Sequence, residues 1–506
     1  MSAITTEVEL KLRFPPARLR EVLASPVLAS PRGPRNRIMA ATYYDTPALD
    51  LWRRRIALRI RREGGQWIQA VKGEGTVHAG THRRLEIESV LKRGKPDVSA
   101  LPRHAVTRFL QSPGVAATLV PVMRTEISRK LLLLEPAPGV LIEAAVDTGT
   151  IRSRGQCEQV CELELELKSG PLAALYDIAR RVSAQVPLAL EHRSKAERGY
   201  ALYGAAMNAP LKAAPVRLAG DMTAIDAFHA IAAEALHQVQ ANEYGVTVSA
   251  DPEYLHQMRV GIRRLRSALA LFAPLLDEEA AAQSAMLREL GGRLGPARDW
   301  DVLVTETLPA ARACWPDAVL PAGFGRACLR QQALARENAI SSIKTNSYDN
   351  SMLALAVWIS SQVKTSGHIR LGVREFAARV LRERHSRVIK RGRHLDRLQP
   401  AQLHRLRIAV KQMRYAVEFF AGLFPARRMS GLRARLSMLQ DILGSMNDAT
   451  AVSKLMAEVT AASKNRDVAA AAGRLAGWHA ALAGQCHTVL KPAWRSFCAQ
   501  RTTWRA

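Results

Sequence analysis

Apolar and charged positions alternate through roughly the first 200 residues. Glu7-Val8-Glu9-Leu10-Lys11-Leu12 is the earliest such run. Leu58-Arg59-Ile60-Arg61, Arg84-Leu85-Glu86-Ile87-Glu88 and Glu162-Leu163-Glu164-Leu165-Glu166-Leu167-Lys168 repeat the pattern. A period of two predicts strands with one apolar and one charged face. Gly64-Gly65 and Pro136 to Gly139 read as turns between them. Pro171 to Val186 reads as a helix between late strands.

The grammar changes after a stretch rich in Ala with Pro210 and Pro215. Beyond it, Ala- and Leu-rich segments follow the helical period of 3.6 to the end. They also repeat. His256, Arg259, Arg263 and Arg266 recur as His404, Arg407, Lys411 and Arg414, at an offset of 148. Leu294-Gly295 to Asp299 recurs as Leu443-Gly444 to Asp448 at 149, and His237 has an echo in His385. One offset shared by several features predicts a duplicated helical bundle. The expected organisation is a strand-rich domain over 1–205, a linker over 206–221 and a helical domain over 222–506, with copies at about 222–365 and 370–506.

Composition narrows the function. The chain has 506 residues, is 48% hydrophobic and carries a formal charge of +28. That hydrophobic content excludes a disordered chain. The most apolar internal stretch, Met352 to Ile359, is far shorter than the roughly 20 residues a membrane-spanning helix needs. The N-terminus has Glu7 and Glu9 where a secretory core would be apolar. Six cysteines form no disulfide framework, and Cys157-x3-Cys161 has no further Cys or His beside it to complete a zinc site. A reduced, cytoplasmic protein is expected. The positive charge calls for a polyanionic partner: nucleic acid, anionic lipid or inorganic polyphosphate. Residues 1–210 hold 32 basic against 21 acidic side chains, so the excess is not confined to a tail. Nucleic acid ranks last, because aromatics are only 5% and no base-reading motif is present.

The charged strand faces carry both signs. Glu7 and Glu9 lie about 7 Å apart on one face. Glu162, Glu164 and Glu166 share another face, and Arg59 and Arg61 a third. Turned inward, such faces would line an antiparallel barrel with a polar lumen. Clustered carboxylates need a hard divalent cation, and clustered Arg and Lys need an anion rich in oxygens. A metal-bound chain of phosphates satisfies both.

These residues resemble the CYTH, or triphosphate tunnel metalloenzyme, family over roughly 1–205. The resemblance rests on Glu7-x-Glu9-x-Lys11, Tyr44-Asp45-Thr46, Arg59/Arg61, Lys72-Gly73, Arg84-x-Glu86-x-Glu88, Arg124-Thr125, Glu143 to Gly149, the Glu162/Glu164/Glu166 strand and Ser194-Lys195 to Tyr200, in that order. Gln69, two residues before Lys72, departs from it, since a hydroxyl residue is often expected there. The resemblance implies an eight-stranded tunnel that binds triphosphate with Mg²⁺ or Mn²⁺. It makes Glu7, Glu9, Glu162, Glu164 and Glu166 metal-ligand candidates, with Glu88 a further one. Lys11, Arg59, Arg61, Lys72, Arg84, Arg124 and Lys195 become phosphate clamps, and Glu7, Glu9 and Lys11 the catalytic candidates. Three chemistries stay open: hydrolysis of inorganic triphosphate, hydrolysis of thiamine triphosphate and cyclisation of ATP as in adenylate cyclase.

On a helical wheel, His256, Arg259, Arg263 and Arg266 fall within an arc of about 80°. His404, Arg407, Lys411 and Arg414 do the same. Met258, Ile262, Leu265 and Leu269, and in the second copy Leu406, Val410, Met413 and Val417, take the opposite side. Like charges three and four residues apart cost a helix a few tenths of a kcal/mol per pair. An extended polyanion would account for two such stripes. Asp299 and Asp448 are expected to hold a stripe arginine or cap a helix. Residues 222–500 resemble the CHAD domain, an α-helical domain of two repeats, which implies binding of inorganic polyphosphate along a basic groove. The pair resembles the bacterial inorganic triphosphatase type, an expected hydrolase of tripolyphosphate. A non-catalytic protein bound to polyphosphate granules is the other reading.

Overall fold

The computed structural model describes residues 3–30, 33–78, 81–315, 321–361 and 371–500. The expected junction between the helical copies and the final residues lie outside these. Two compact units form: Met1–Ala209 with Thr345–Gln362, and Pro210–Lys344 with Val363–Ala506.

The first unit is a closed antiparallel barrel. Its strands are β1 (Ala3–Arg13), β2 (Arg35–Asp45), β3 (Ala57–Glu63), β4 (Gln66–His78), β5 (Thr81–Leu91), β6 (Val120–Ala137), β7 (Val140–Ser153) and β8 (Gln156–Ser169). The sheet runs β5-β4-β3-β2-β6-β7-β8-β1, and pairing of β5 with β1 closes it. A two-residue strand, β9 (Ala189–Leu190), adds to β1.

The alternation places charge inside and carbon outside. Leu10 and Leu12 of β1 and Leu163 and Leu165 of β8 are fully buried on the outer face. Helix α1 (Ala173–Ser183) covers them with Leu175, Tyr176, Ile178 and Val182. Each such burial contributes roughly 1.5–3 kcal/mol. A second outer cluster joins Leu58, Val71 and Ile87 to Leu101, Val106 and Leu110. The helix Asn346–Ser360, which holds the apolar stretch from Met352 to Ile359, packs on α1 and β9. Asp349 of that helix pairs with Arg13 of β1 at 3.3 Å. The apolar run is therefore part of the barrel unit's outer layer.

Helix α2 (Lys195–Tyr203) packs against β6, β7 and β8. A side chain at Gly199 would put its Cβ 1.9 Å from Met123 Sδ, so any larger residue would force the Met123 side chain to move. Asp45, fully buried, holds the same region. It accepts hydrogen bonds from the backbone N–H groups of Thr46, Leu51 and Trp52 and from the Tyr200 hydroxyl. Trp52 stacks on Tyr200 at 4.7 Å. Asp45→Ala would leave four buried donors without their acceptor and should cost about 3–5 kcal/mol. The midpoint of the barrel's unfolding in guanidinium checks this; an unchanged midpoint would remove Asp45 as the tie.

The second unit is helical: α3 (Ala224–Val248), α4 (Pro252–Phe272), α5 (Glu279–Arg293), α6 (Gly295–Val302), α7 (Ala322–Ile343), α8 (Val373–Gly392), α9 (Pro400–Phe420), α10 (Ala426–Ala461) and α11 (Arg466–Cys498). The repeat is visible in the elements. Proline opens α4 at 252 and α9 at 400, the same offset of 148. Phe228 and Phe272 correspond to Phe376 and Phe420, and the four rings pack together at 4.7–6.2 Å. One long helix, α10, stands where the first copy is broken into segments, with Pro296 and Pro309 at the breaks. Met258, Ile262, Leu265 and Leu269, and Leu406, Val410, Met413 and Val417, are buried as the periodicity expects. Among the described residues, no helix is long and apolar enough to cross a membrane.

Candidate active site and basic groove

Charged side chains meet across the barrel lumen. Lys72 of β4 binds Glu7 of β1 at 2.6 Å, although these strands are not neighbours. Arg129 of β6 reaches both Asp147 of β7, at 2.7 Å, and Glu164 of β8, two strands away. Such pairs can form only inside the barrel. Lys11 bridges Glu9, at 2.9 Å, and Glu164. From helix α2, Lys195 Nζ reaches Asp147 at 2.9 Å, Glu162 at 2.6 Å and Glu164 at 2.9 Å. Arg198, one turn on, pairs with Glu162 and Glu158. Toward the other strands, Arg59 pairs with Glu86 at 3.0 Å, Arg61 with Glu88 at 2.9 Å, and Arg84 with Glu197 at 3.2 Å. Glu166 pairs with Lys168 at 2.6 Å.

Most expected site residues therefore converge, and Arg124 does not. It is 61% exposed on the outer face, paired with Glu126 at 3.3 Å. In β6 it is Thr125 and Arg129, of the opposite parity, that turn inward. Arg129, Asp147 and Arg198 are among the residues that sequence reasoning left out of the site. Arg129 lies between Ser128 and Lys130, with no clean alternation to set its face. A shift of one residue exchanges the two faces of a strand.

Burial inside the lumen moves several ionisations. Burial and a hydrogen bond shared with Glu86 push the Glu7 carboxyl up to about 7, against the pull of Lys72. Burial also works against ionisation of Glu9, but Lys11 outweighs it and holds the carboxyl at about 2. Glu164 is buried too, yet Lys11, Lys195 and Arg129 hold it well below the usual carboxylate range. Burial works against the charge on Lys195, but Asp147, Glu162 and Glu164 keep its ammonium protonated far above the ordinary lysine range.

The residues fit a divalent cation. Asp147, Glu162 and Glu164 are all buried, and one carboxylate oxygen of each lies within 4.8 Å of the others. Hard oxygen donors in that number suit Mg²⁺ or Mn²⁺. An ammonium, Lys195 Nζ, bonds to all three carboxylates.

Glu7 gives this site a pH signature. Its folded value of about 7 stands above its ordinary 4.5. Its proton therefore stabilises the fold fully below about 4.5, and that contribution is gone above about 7. Metal ligation at Glu7 must expel the proton. Calorimetric Mg²⁺ titrations in buffers of different ionisation enthalpy should show about one proton released per ion at pH 6 and almost none at pH 8. Equal release at both would separate Glu7 from the metal.

In the helical unit the cations of the two stripes lie close enough to act on one another. The Lys411 ammonium is pushed down to about 8 by burial and by Arg263, Arg407, Arg266 and Arg414, cations of both copies. Arg263 Nε and Arg407 Nε are buried without a hydrogen-bond partner. Arg259 donates to the Gly291 carbonyl at 2.7 Å, and Arg414 to Gln440 at 2.7 Å. Asp299 acts electrostatically on Arg259, and Asp448 on Arg407; burial raises both carboxyls. Burial and the nearby Arg298 lower His256, while His404 lies exposed at the start of its stripe.

Comparison with known proteins matches residues 5–200 to the CYTH domain and residues 230–457 to the CHAD domain. The chain is a CYTH domain joined to a CHAD domain. It is 33% identical over 200 residues to the inorganic triphosphatase of Haemophilus influenzae, covering 39% of this chain. The chain spans about half, 54%, of that relative's length. The crystal structure of the CHAD domain from Ricinus communis superposes with a TM-score of 0.51 at 31% identity, over 58% of this chain and 98% of that one. PptA from Streptomyces chartreusis is more remote, with a TM-score of 0.43 at 17% identity over 54% of this chain and 99% of that one.

Proposed function

We propose that the CYTH tunnel hydrolyses inorganic triphosphate with Mg²⁺ or Mn²⁺ and that the CHAD groove binds inorganic polyphosphate. The observation that carries the reading is the meeting of opposite charges from non-neighbouring strands inside one lumen. The name of the Haemophilus relative favours an inorganic substrate.

In this reading Glu7, Glu9, Asp147, Glu162 and Glu164 hold the metal, with Glu166 completing the acidic wall. When bound, the ion neutralises phosphate oxygens and acidifies the attacking water. Lys11, Arg59, Arg61, Lys72, Arg84, Arg129 and Lys195 clamp the remaining oxygens. They exchange carboxylate partners for phosphate as substrate enters, so the lumen never carries a large uncompensated charge. Catalysis is then mostly positioning and electrostatic stabilisation. In the helical unit, Arg263, Lys411 and Arg407 supply donors along the groove, with Arg259, Arg266, Arg414, His256 and His404 extending it.

The test is phosphate release from tripolyphosphate, ATP, thiamine triphosphate and long polyphosphate, with Mg²⁺, with Mn²⁺ and with EDTA. Release from tripolyphosphate should dominate, stop in EDTA and be lost in Glu7→Ala/Glu9→Ala. Undiminished release by the double variant would take the tunnel out of the chemistry, and cyclic AMP from ATP would favour the cyclase reading.

A further inference from the structure

A second cationic site lies at one corner of the helical unit, off the stripes. The C-terminal end of α8, the connection after it and the start of α9 border an open pocket of about 680 Å³. Arg387, Lys390, Arg391, His394, Arg397 and Arg405 line it, with no carboxylate among the lining. Among the described residues, none of these five Arg and Lys side chains has an ion-pair partner. The acid nearest in sequence, Asp396, pairs with Lys491 at 2.9 Å. Arg405 follows His404 by one residue, about 100° around the helix and so away from the stripe arc.

The duplication supplies the second observation. At the offset of 148, the corner of the first copy has Val239 and Asn242 for Arg387 and Lys390, Val246 for His394, Ser249 for Arg397 and Gln257 for Arg405. That corner is covered by the chain itself. Asn242 exchanges two hydrogen bonds of 3.0 Å with the backbone of Leu211, and Arg264 donates to the Ala214 carbonyl at 3.2 Å. Val239, Asn242 and Val246 are buried. In the second copy the corner is cationic instead, and Arg387, Lys390, Arg397 and Arg405 are exposed.

We propose that this corner is a distinct binding site for condensed phosphate, taken as a short free oligophosphate or as a segment of a longer chain. Guanidinium forks match phosphoryl oxygens in pairs, and several phosphoryl groups in succession are needed to satisfy this many cations. A monovalent or compact anion would leave most of them unpaired. The site is independent of the groove reading, since it shares no residue with the stripes.

Lys390 reports on it locally. The full chain, in EDTA to prevent turnover, is treated with an amine-reactive reagent alone, with tripolyphosphate, with long polyphosphate and with sulfate at matched ionic strength. Modification is read peptide by peptide. Labelling of Lys390 should fall at least about fivefold with a phosphate chain and stay unchanged with sulfate. The chain that protects at the lower concentration identifies the source. Arg387→Gln/Arg397→Gln/Arg405→Gln should raise the half-protecting concentration at Lys390 by at least about tenfold and leave protection of Lys411 as it was. Lys390 labelling that no phosphate chain changes, or that sulfate changes equally, overturns the proposal, and these wild-type arms decide even where the triple variant folds poorly. Tripolyphosphate turnover in Mg²⁺, measured separately, distinguishes a failure of the tunnel reading from a failure of this site.

Discussion

Glu164→Gln should reduce tripolyphosphate hydrolysis by about 10³-fold or more, because a loss of about 4 kcal/mol in transition-state stabilisation has that effect. Glu164 is the hub of the lumen. Lys11, Lys195 and Arg129 all bind it, and it is one of the three carboxylates that converge. Gln keeps the shape and removes the charge. Two effects separate. The metal site loses a hard anionic donor, so saturating Mg²⁺ should restore only part of the rate. Three cations also lose their shared counter-charge, so the metal-free variant should be less stable by about 3–5 kcal/mol. Tripolyphosphate brings negative charge to the same cations and should recover much of that stability. Thermal melts with and without tripolyphosphate, beside initial rates across Mg²⁺ concentrations, check both. A variant with wild-type rate and wild-type melting would remove Glu164 from the metal and from the clamp together.

The strands that carry this site are legible in the sequence because their alternation is strict. Glu7-Val8-Glu9-Leu10-Lys11 can sit in a closed barrel in only one way if Leu10 and Leu12 are to be buried. Which face of such a strand turns inward is a tertiary matter. A one-sided sheet would bury the leucines and leave the glutamates in water. Only closure of β5 on β1 makes the charged face a lumen. β6 shows where local pattern stops: Arg124 and Arg129 have opposite parity, and only pairing with Asp147 on β7 decides which of them is inside. The repeat made the stripes legible, since a second copy with the same spacing is hard to assign to chance. Two features had no local signal. The helix Asn346–Ser360 reads as one more helix of the C-terminal half, yet its apolar side chains pack on α1 and β9 of the barrel unit. The cationic corner is hidden as well, because its residues come from two helices and the connection between them.

Polyphosphate binding in the groove should weaken steeply with salt and fall further above pH 8. Each phosphate neutralised releases condensed counterions, so the logarithm of affinity falls with the logarithm of salt at about 0.7 per contact for a single-stranded polyanion. Arg263→Gln/Arg407→Gln removes two guanidinium groups whose Nε atoms are buried without partners. The slope should flatten by about 1.4, and affinity at low salt should drop by about 100-fold if each charge-assisted contact contributes about 1.4 kcal/mol. Lys411 adds the pH term. Burial and the four arginines around it bring its folded value down to about 8 from 10.5. Between these values the free protein has lost a proton that the unfolded chain keeps, so this group favours the fold increasingly as pH rises through the window. A bound polyanion reverses the balance by drawing the proton back. Binding at pH 9 should therefore take up close to one proton, binding at pH 7 almost none, and Lys411→Gln should abolish the difference. Calorimetry in buffers of different ionisation enthalpy reads the uptake, and titrations across salt read the slope. A salt slope untouched by the double substitution, together with proton uptake untouched by Lys411→Gln, would place the polyanion elsewhere on the helical unit.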